Sequence, residues 1–224
     1  MSKRVLITGA TGMTGGIALR RCLESPELSA VTTLGRRATG QQHANLEELV
    51  HGDFEDLSPL AGRLGGYDIA LYCIGVYTGA VPDELFAKIT RDYTVGFAKA
   101  LHAESPGATV CFLSGAGADP SERSRMAFAR YKGAAEKALL AQGFGRVHIF
   151  RPGYIYPVEA REEPNWTYRL TRRIYPLVRA MGPKHSITSE ELAQGMLEAG
   201  LHGTGAHTEP VLENIDIRRL VGSA

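Results

Sequence analysis

A glycine-rich segment near the start of the chain, residues 8–16 ("TGATGMTGG"), limits the possible folds more than any other feature. Gly9, Gly12 and Gly15 stand at G-x-x-G-x-x-G spacing, after a short apolar run and before a helical pattern. In a strand–turn–helix unit, such glycines permit the tight turn, the approach of backbone to a pyrophosphate, and close packing of helix on sheet. The N-terminus of the following helix also favours phosphate. The segment therefore predicts a dinucleotide site with contacts from Gly9, Thr11, Gly12, Met13, Thr14 and Gly15.

Strand-like and helix-like patterns alternate through the first 153 residues. Apolar residues recur at helical spacing in segments 15–25, 84–103 and 128–143. Short, mostly apolar runs suit strands that are covered on both faces, and they occupy segments 4–10, 30–36, 46–53, 67–75, 108–115 and 146–153. This β–α alternation predicts an α/β fold with a doubly wound parallel sheet, the Rossmann fold. Ligands of such sheets bind at the carboxyl ends of the strands.

The C-terminal part of the chain has a looser pattern. At 224 residues, the length suits one domain. We expect residues 1–153 to form the NAD(P)-binding core. Residues 154–224 are expected to form a small helical lobe on the substrate side, packed on the same domain. Within it, Thr188 and Glu191 have the spacing of a capping box, which predicts the start of a helix.

Charge, cysteine and histidine patterns argue against several classes of protein. The 25 basic and 24 acidic residues give a net charge of +1, so neither a nucleic acid nor a membrane is an expected partner. The longest strongly apolar run, residues 69–77, is too short to cross a bilayer, and the N-terminus enters a strand pattern without an apolar leader. The 3 cysteines and 7 histidines show no metal-binding spacing. We therefore expect no metal, no disulfide framework and a cytoplasmic location.

The ends of the second, third and fourth predicted strands suggest how the rest of the cofactor binds. Arg36 and Arg37 end the second strand, where an NAD-selective site has Asp or Glu. Guanidinium groups suit a 2′-phosphate, so NADP is preferred over NAD; the alternative is that one arginine lies along the sheet edge. The other predicted contacts are Asp53 and Phe54 for the adenine, and Cys73, Ile74 and Gly75 for the adenosine ribose.

Longer motifs occur in order over most of the chain. They are "LITGATGMTGG", "HGDF", "ITRDYTVGFAKAL", "LSGAGADPSERSRMAFARYKGAAEKAL", "IFRPGYIY" and "VLENIDIRRLVG". With them the chain resembles the short-chain dehydrogenase/reductase superfamily, in its atypical, NmrA-like branch, and it is most similar to small reductase-like proteins of the Tat-interacting-protein type. The resemblance implies a Rossmann fold with NADP(H) or NAD(H) and, in active members, a Ser–Tyr–Lys constellation.

The constellation that the resemblance implies is incomplete in this chain. In active members the lysine binds the nicotinamide ribose and lowers the pKa of the tyrosine, which exchanges a proton with the substrate while the serine holds its oxygen. Lys132 matches the lysine, but the tyrosine position four residues earlier is Phe128. Tyr131 is not an obvious substitute, because adjacent helical residues point about 100° apart. The serine pair of many relatives is Ser114–Gly115 here.

Lys132 and Ser114 are therefore the catalytic candidates, and Lys132 is also a cofactor contact. Because side chains alternate along a strand, Ser114 can point away from the place where the second serine of the relatives acts. Pro152 and Gly153 are the predicted contacts at the nicotinamide end. A phenol from a loop is an alternative proton source, and the candidates are Tyr77, Tyr154 and Tyr156.

Three functions stay open at this point. The first is an NADP(H)-dependent oxidoreductase that acts on a small carbonyl or hydroxyl substrate, with its proton from water or a loop tyrosine. The second, favoured by Phe128 and Gly115, is a non-catalytic regulator that senses NADP(H) and signals through a protein partner. The third is an epimerase- or dehydratase-like enzyme, which the absence of the tyrosine disfavours as much as it disfavours the oxidoreductase. The expected partner is thus a small-molecule substrate or a regulatory protein, and the expected state is a monomer or a homodimer.

Overall fold

The computed structural model describes residues 2–159 and 184–222. Within these residues the main sheet is built from β1 (Lys3–Thr8), β2 (Leu28–Gly35), β3 (Leu46–Val50), β4 (Ile69–Tyr72), β5 (Thr109–Leu113), β6 (Arg146–Arg151) and β9 (Val211–Glu213). Its order is β3-β2-β1-β4-β5-β6-β9, and all neighbours are parallel. A separate parallel pair is formed by β7 (Tyr154–Tyr156) and β8 (Ser186–Thr188).

The described helices follow the strands in the expected alternation. They are α1 (Met13–Glu24), α2 (Asp83–Ala87), α3 (Tyr93–Glu104), α4 (Ala127–Ala141), α5 (Ser189–His202) and α6 (Asn214–Leu220). A π-helical stretch, Lys88–Asp92, connects α2 to α3, and a 3-10 turn covers Ser58–Leu60. In this part of the chain no helix has the length and apolar character that a membrane span requires.

Side chains that alternate along the strands build a core on both faces of the sheet. Val5, Ile7 and Leu71 belong to the cluster that also contains apolar residues of α1, α5 and α6. Leu6 and Tyr72 belong to the opposite cluster, with residues of α3 and α4. Because both faces are covered, the strands are nearly continuous apolar runs, as is typical of parallel sheets. The predicted doubly wound Rossmann fold is confirmed.

The described part of the C-terminal segment completes this sheet. The strand β9 pairs with β6 at the sheet edge, and α5 contributes buried side chains to the same cluster as α1. The segment is thus not purely helical in residues 184–222, although the boundary at residue 153 stays a prediction. The capping box is confirmed: the Thr188 hydroxyl accepts a hydrogen bond from the Glu191 N–H, and the Glu191 carboxylate accepts one from the Thr188 N–H.

One buried histidine gives the fold a dependence on pH. His148 in β6 is 3% exposed, and neither ring nitrogen has a hydrogen-bond partner among the described residues. Burial is the main reason that the pKa of His148 is lowered to about 4, and the charges of Arg146 and His207 act in the same direction. The unfolded chain therefore binds a proton more readily than the folded chain between pH about 6.5 and about 4.

We expect the free energy of unfolding to fall as the pH is lowered through this window, by about 3 kcal/mol for this one group. Replacing His148 by leucine should remove most of that slope, because the protonated form no longer exists. The measurement is urea unfolding at several pH values, with His43→Gln, at an exposed loop position, as control. An equal slope in His148→Leu and in the unsubstituted protein would contradict this assignment.

Candidate cofactor and substrate site

The glycine-rich turn between β1 and α1 leaves no room for side chains at two of its glycines. Gly9 has a φ of +72°, and a Cβ there would lie 2.6 Å from the Cys73 carbonyl oxygen. A Cβ on Gly15 would lie 2.2 Å from the Gly9 carbonyl oxygen. The Gly12 N–H donates to the same oxygen at 2.9 Å, and Gly12 caps the N-terminus of α1. The turn therefore brings backbone N–H groups and the positive end of a helix to the carboxyl edge of the sheet.

Two adjoining cavities lie along this edge. The β2-side cavity, about 470 Å³, lies beside the ends of β1 and β2, and the β5-side cavity, about 450 Å³, lies beside the ends of β5 and β6. They share Gly12 and the segment 73–76 as lining. Together they form one groove that crosses the point where the strand order reverses, which is where ligands of doubly wound sheets bind.

The β2-side cavity contains most of the residues predicted for the adenosine half of a cofactor. Thr11, Arg36 and Arg37 line it, and so does the buried ring of Phe54. The sequence did not point to Tyr93, whose ring centroid lies 5.6 Å from that of Phe54 and which also lines the cavity. The lining of the cavity thus includes two guanidinium groups and the surface of two aromatic rings.

The sequence predicted that Asp53 contacts the adenine, but the structure does not place Asp53 in the β2-side cavity. Its side chain is exposed, and Oδ1 accepts a hydrogen bond from the Glu55 N–H at 2.9 Å. The reason is local: β3 ends at Val50, so residue 53 lies in the turn that follows. A carboxylate two residues before a free N–H readily stabilises such a turn.

The β5-side cavity is largely apolar around Phe128. The phenyl ring packs directly over Gly115, where a Cβ would lie 2.7 Å from Cζ of the ring. The space that the second serine of the relatives would occupy is therefore filled by Phe128 in this chain. The two departures from the Ser–Tyr–Lys constellation are physically coupled, because the ring needs a glycine beneath it.

One face of α4 carries the groups that contact the end of β5. Phe128, Lys132 and Glu136 follow at intervals of four residues, so they lie on the same side of the helix. Phe128 packs on Gly115, Lys132 donates to the Leu113 carbonyl, and Glu136 accepts from Ser114. The helix reaches this position because Gly133 lets the Asp119 carbonyl approach; a Cβ on Gly133 would lie 2.0 Å from that oxygen.

Lys132 is a buried cation at the floor of the β5-side cavity. It is 8% exposed, and Nζ donates a hydrogen bond to the Leu113 carbonyl oxygen at 2.9 Å. Nζ also lies 5.1 Å from the centroid of the Phe112 ring. Loss of hydration lowers the pKa of Lys132 to about 8, and the negative charge of Glu136 opposes that effect.

Ser114 lines the same cavity, but its hydroxyl donates a hydrogen bond to Oε1 of Glu136. Glu136 is 1% exposed and also accepts from Nε of Arg151 at 2.9 Å and from Nη2 of Arg151. The hydroxyl is thus part of a buried Ser–Glu–Arg network, and a catalytic role for Ser114 stays a prediction. Sequence reasoning missed Glu136 and Arg151, although the i, i+4 spacing of Lys132 and Glu136 was a usable signal.

The tyrosines separate into two groups. Tyr131 lies outside both cavities, because its hydroxyl donates to Oδ2 of Asp83 at 2.8 Å and its ring packs against Phe86. Tyr77 and Tyr154 line the β5-side cavity, whereas Tyr156 does not. A phenol near the reacting groups would therefore come from Tyr77 or Tyr154.

The remaining predicted contacts mostly lie in the groove. The residues that line it are Met13, Thr14, Cys73, Ile74, Gly75, Pro152 and Gly153. Gly9 and Gly12 line it from the turn, whereas Gly15 lies beneath the turn and contributes close packing only. Among residues 2–159 and 184–222, no group of three or more His, Cys, Asp or Glu side chains is arranged to hold a metal ion.

A model of the NAD-dependent epimerase/dehydratase family matches residues 5–127 of the chain. Among individual proteins, HTATIP2 of Rattus norvegicus is 33% identical over 159 residues, which is 69% of this chain and 63% of the rat protein. The mitochondrial protein fmp52 of Emericella nidulans is 30% identical over 199 residues, or 85% of this chain and 81% of that protein. The mitochondrial protein FMP52 of Meyerozyma guilliermondii is 27% identical over 153 residues, or 68% of this chain and 65% of that protein.

The comparison with these relatives shows how much of their length is matched, and it tests the predicted location of this protein. The matched region spans less than two thirds of the rat and Meyerozyma proteins. The expected cytoplasmic location was wrong, because several relatives are mitochondrial by name. Composition and an N-terminus that enters a strand directly do not determine the compartment.

Solved structures share the fold. WbmH of Bordetella bronchiseptica, in complex with NAD⁺, superposes with a TM-score of 0.67 at 18% identity, covering 92% of this chain and 74% of WbmH. MoeE5, in complex with UDP-glucose and NAD, gives a TM-score of 0.64 at 14% identity, covering 98% of this chain and 82% of MoeE5. At these identities the likeness establishes the architecture alone.

Proposed function

The chain belongs to the NAD-dependent epimerase/dehydratase family, in the atypical, NmrA-like branch of the short-chain dehydrogenases/reductases, and we propose that it is an NADP(H)-dependent oxidoreductase of a small carbonyl or hydroxyl compound. The observation that carries the proposal is the continuous groove from Arg36 and Arg37, past the glycine-rich turn, to Lys132. Its lining residues and its place across the carboxyl edge of the sheet suit a dinucleotide.

The residues of the groove fit the parts of such a cofactor. Backbone N–H groups of the turn and the N-terminus of α1 suit the pyrophosphate, since Gly9 and Gly15 have no space for a Cβ. Arg36 and Arg37 suit a 2′-phosphate, and the cation of Lys132 suits the hydroxyls of the second ribose. A bound dihydronicotinamide would supply a hydride, and the apolar Phe128 would keep water away from it.

The first test is cofactor binding. If NADPH binds, the melting temperature should rise by about 5–10 °C at a concentration about 100 times the dissociation constant, because the ligand stabilises only the folded chain. Thermal unfolding followed by fluorescence measures this shift. No shift at millimolar NADPH would contradict the proposal.

The preference for NADPH over NADH is expected to depend on two arginines. Replacing Arg36 and Arg37 together by alanine should weaken NADPH binding about 10- to 100-fold and change NADH binding little, because only NADPH has the 2′-phosphate. Titration calorimetry with both cofactors gives the ratio.

The matched control for this pair is the double substitution of Arg123 and Arg125 by alanine. Both side chains are exposed, neither lines the two cavities, and the change in net charge is the same. An equal loss of NADPH affinity in the control would assign the effect to overall charge rather than to a phosphate site.

A second function is favoured by Phe128 and Gly115, which remove the phenol and the second serine. On this alternative the protein is a regulator that senses NADP(H) and acts through a protein partner. NADPH oxidation assayed with a panel of aldehydes, ketones and quinones separates the two. Steady turnover supports the oxidoreductase, whereas tight NADPH binding without turnover of any panel member supports the regulator. The family description also suggests an epimerase or dehydratase activity. Such an activity needs the proton exchange that the tyrosine performs, and this chain has Phe128 at that position.

A further inference from the structure

The two arginines proposed to bind the 2′-phosphate lie in a connection that has little support from the core. Residues 36–45 join the parallel neighbours β2 and β3 without an intervening helix. Residues 36–38, which we call the arginine segment, are exposed. Arg37 and Thr39 line the β2-side cavity and also a further cavity of about 590 Å³ beside α1. The order of this segment therefore depends on a few hydrogen bonds rather than on packing.

The sheet itself holds the near end of the arginine segment. The Gly35 carbonyl, at the end of β2, accepts a hydrogen bond from the His51 N–H at 2.9 Å, and His51 directly follows β3. This contact continues the pairing of β2 with β3 and brings the segment to the groove.

Glu48 holds the far end of the arginine segment. It lies in β3, and its Oε1 accepts hydrogen bonds from the N–H and from the hydroxyl of Thr39, each at 2.6 Å. The Thr39 hydroxyl in turn accepts from the Gln41 N–H at 3.2 Å, and Gly40, with a φ of +77°, lets the chain turn between them. Because the acceptor on Glu48 is a carboxylate, its two hydrogen bonds are short and strong.

We propose that Glu48 is a positioning residue for recognition of the cofactor's 2′-phosphate: by holding Thr39 it limits the motion of the arginine segment and keeps both guanidinium groups at the β2-side cavity. The proposal rests on the NADP(H) binding proposed above. A segment that is ordered before the ligand arrives loses less conformational entropy on binding, so its affinity for the ligand is higher. Glu48 does not line the cavity, and its carboxylate is bound by Thr39 rather than by an arginine, so it acts through the segment.

A carboxylate near a phosphate site can also act directly, by repelling the phosphate. If repulsion were the larger effect, replacing Glu48 by a neutral residue would increase the affinity for NADPH. Loss of the positioning contact lowers that affinity instead, so the direction of the change identifies the role. A purely structural role would lower the affinities for NADPH and NADH alike, because both cofactors need the folded groove.

The first measurement compares cofactor selectivity by titration calorimetry with NADPH and NADH. We expect NADPH affinity to fall about tenfold in Glu48→Leu, with NADH affinity changed less than about twofold. Thr39→Val keeps the backbone hydrogen bond and loses only that of the hydroxyl, so its loss of NADPH affinity should be smaller, about threefold. Glu48→Gln keeps an acceptor oxygen and should also lose less than Glu48→Leu.

The matched control is Glu47→Leu. Glu47 is the preceding residue of β3, so its side chain points to the opposite face, where it pairs with the exposed Arg63. The substitution removes the same charge next to the same position, and we expect both cofactor affinities to stay within about twofold of those of the unsubstituted protein. A fall in NADPH affinity equal to that of Glu48→Leu would overturn the proposal.

The second measurement asks whether Glu48 acts through the arginines. If it does, its replacement has no consequence once the two guanidinium groups are removed. In a protein that already carries Arg36→Ala and Arg37→Ala, we expect Glu48→Leu to change NADPH affinity less than about twofold. A further fall as large as that in the unsubstituted background overturns the proposal.

The third measurement follows the arginine segment without any cofactor. Trypsin cleaves after arginine, and cleavage after Arg36 and Arg37 needs the segment to leave its hydrogen bonds. With limiting trypsin and mass spectrometry, we expect cleavage at these two sites to be about tenfold faster in Glu48→Leu and unchanged in Glu47→Leu. Cleavage after Arg123, which is exposed in the loop before α4, is the internal reference.

The outcomes are distinguishable. The proposal is supported if the ratio of NADPH to NADH affinity falls in Glu48→Leu and cleavage in the arginine segment becomes faster. It is overturned, with NADP(H) binding intact, if this ratio stays the same or rises, if both affinities fall together, or if the cleavage rate does not change. If the unsubstituted protein does not bind NADPH, the proposed function and the role of Glu48 are both overturned.

Discussion

Replacement of Gly15 by alanine is expected to abolish measurable dinucleotide binding and to destabilise the fold by about 3 kcal/mol. The new Cβ would lie 2.2 Å from the Gly9 carbonyl oxygen, an approach that side-chain adjustment cannot relieve because both atoms belong to the backbone framework. The N-terminus of α1 must therefore move away from the turn. That movement displaces the N–H groups proposed to bind the pyrophosphate, so affinity and stability fall together.

The matched control is Gly16→Ala, one residue further along α1. A Cβ there would lie 3.3 Å from the Ala10 carbonyl oxygen, which a small local shift can accommodate. Alanine also gains about 1 kcal/mol of helix propensity over glycine at either position. Urea unfolding and NADPH titration of both variants measure the difference, and equal behaviour would show that the close approach of turn and helix is not what positions the cofactor.

Replacement of Glu136 by glutamine is expected to lower the free energy of unfolding by about 3 kcal/mol, since it removes the carboxylate with which the largely buried guanidinium of Arg151 pairs. The Arg151 side chain is 17% exposed and that of Glu136 is 1% exposed, so water compensates the loss only in part. The same change removes the negative charge that raises the pKa of Lys132. The pKa of Lys132, measured from the pH dependence of its acetylation by limiting acetic anhydride, should therefore move below about 8.

Glu47→Gln is the control for this substitution, because Glu47 pairs with Arg63 at an exposed site where both side chains are about half accessible. Such surface pairs contribute about 0–1 kcal/mol, so the loss in stability should be small. A double variant, Glu136→Gln with Arg151→Gln, should be less destabilised than the sum of the single changes. Additive losses would mean that Glu136 and Arg151 do not stabilise the fold as a pair, and an unchanged pKa of Lys132 would mean that Glu136 does not act on Lys132.

The parts of the fold that depend on short-range pattern were predictable from the sequence. The spacing of Gly9, Gly12 and Gly15 is local, and it identified the turn whose geometry the structure shows. The alternation of β and α patterns gave the doubly wound sheet, because burial on both faces leaves a signal in every strand. The place of β9 at the edge of this sheet was not predicted, since a strand of three residues, Val211–Glu213, has too little periodicity to recognise.

The positions of the candidate site residues were predictable only where the preceding strand alone determines where a side chain lies. Arg36 and Arg37 follow a strand directly, so their position in the groove followed from the strand. The position of Asp53 could not be predicted in this way. The strand β3 ends at Val50, and the Asp53 carboxylate accepts a hydrogen bond within the turn that follows. The pairing of Glu136 with Arg151 joins α4 to the last residue of β6, and no spacing within one element reports such a contact.

The contact between Phe128 and Gly115 also constrains the order in which this site can change over generations. With the phenyl ring 2.7 Å from a Cβ at position 115, a serine cannot enter there until the ring has moved or shrunk. A single change from glycine to serine at position 115 is therefore expected to destabilise the protein, whereas a prior change at position 128 to a smaller side chain makes room for the serine. Lineages that carry this pair are expected to retain or lose both residues together, so that the two positions covary.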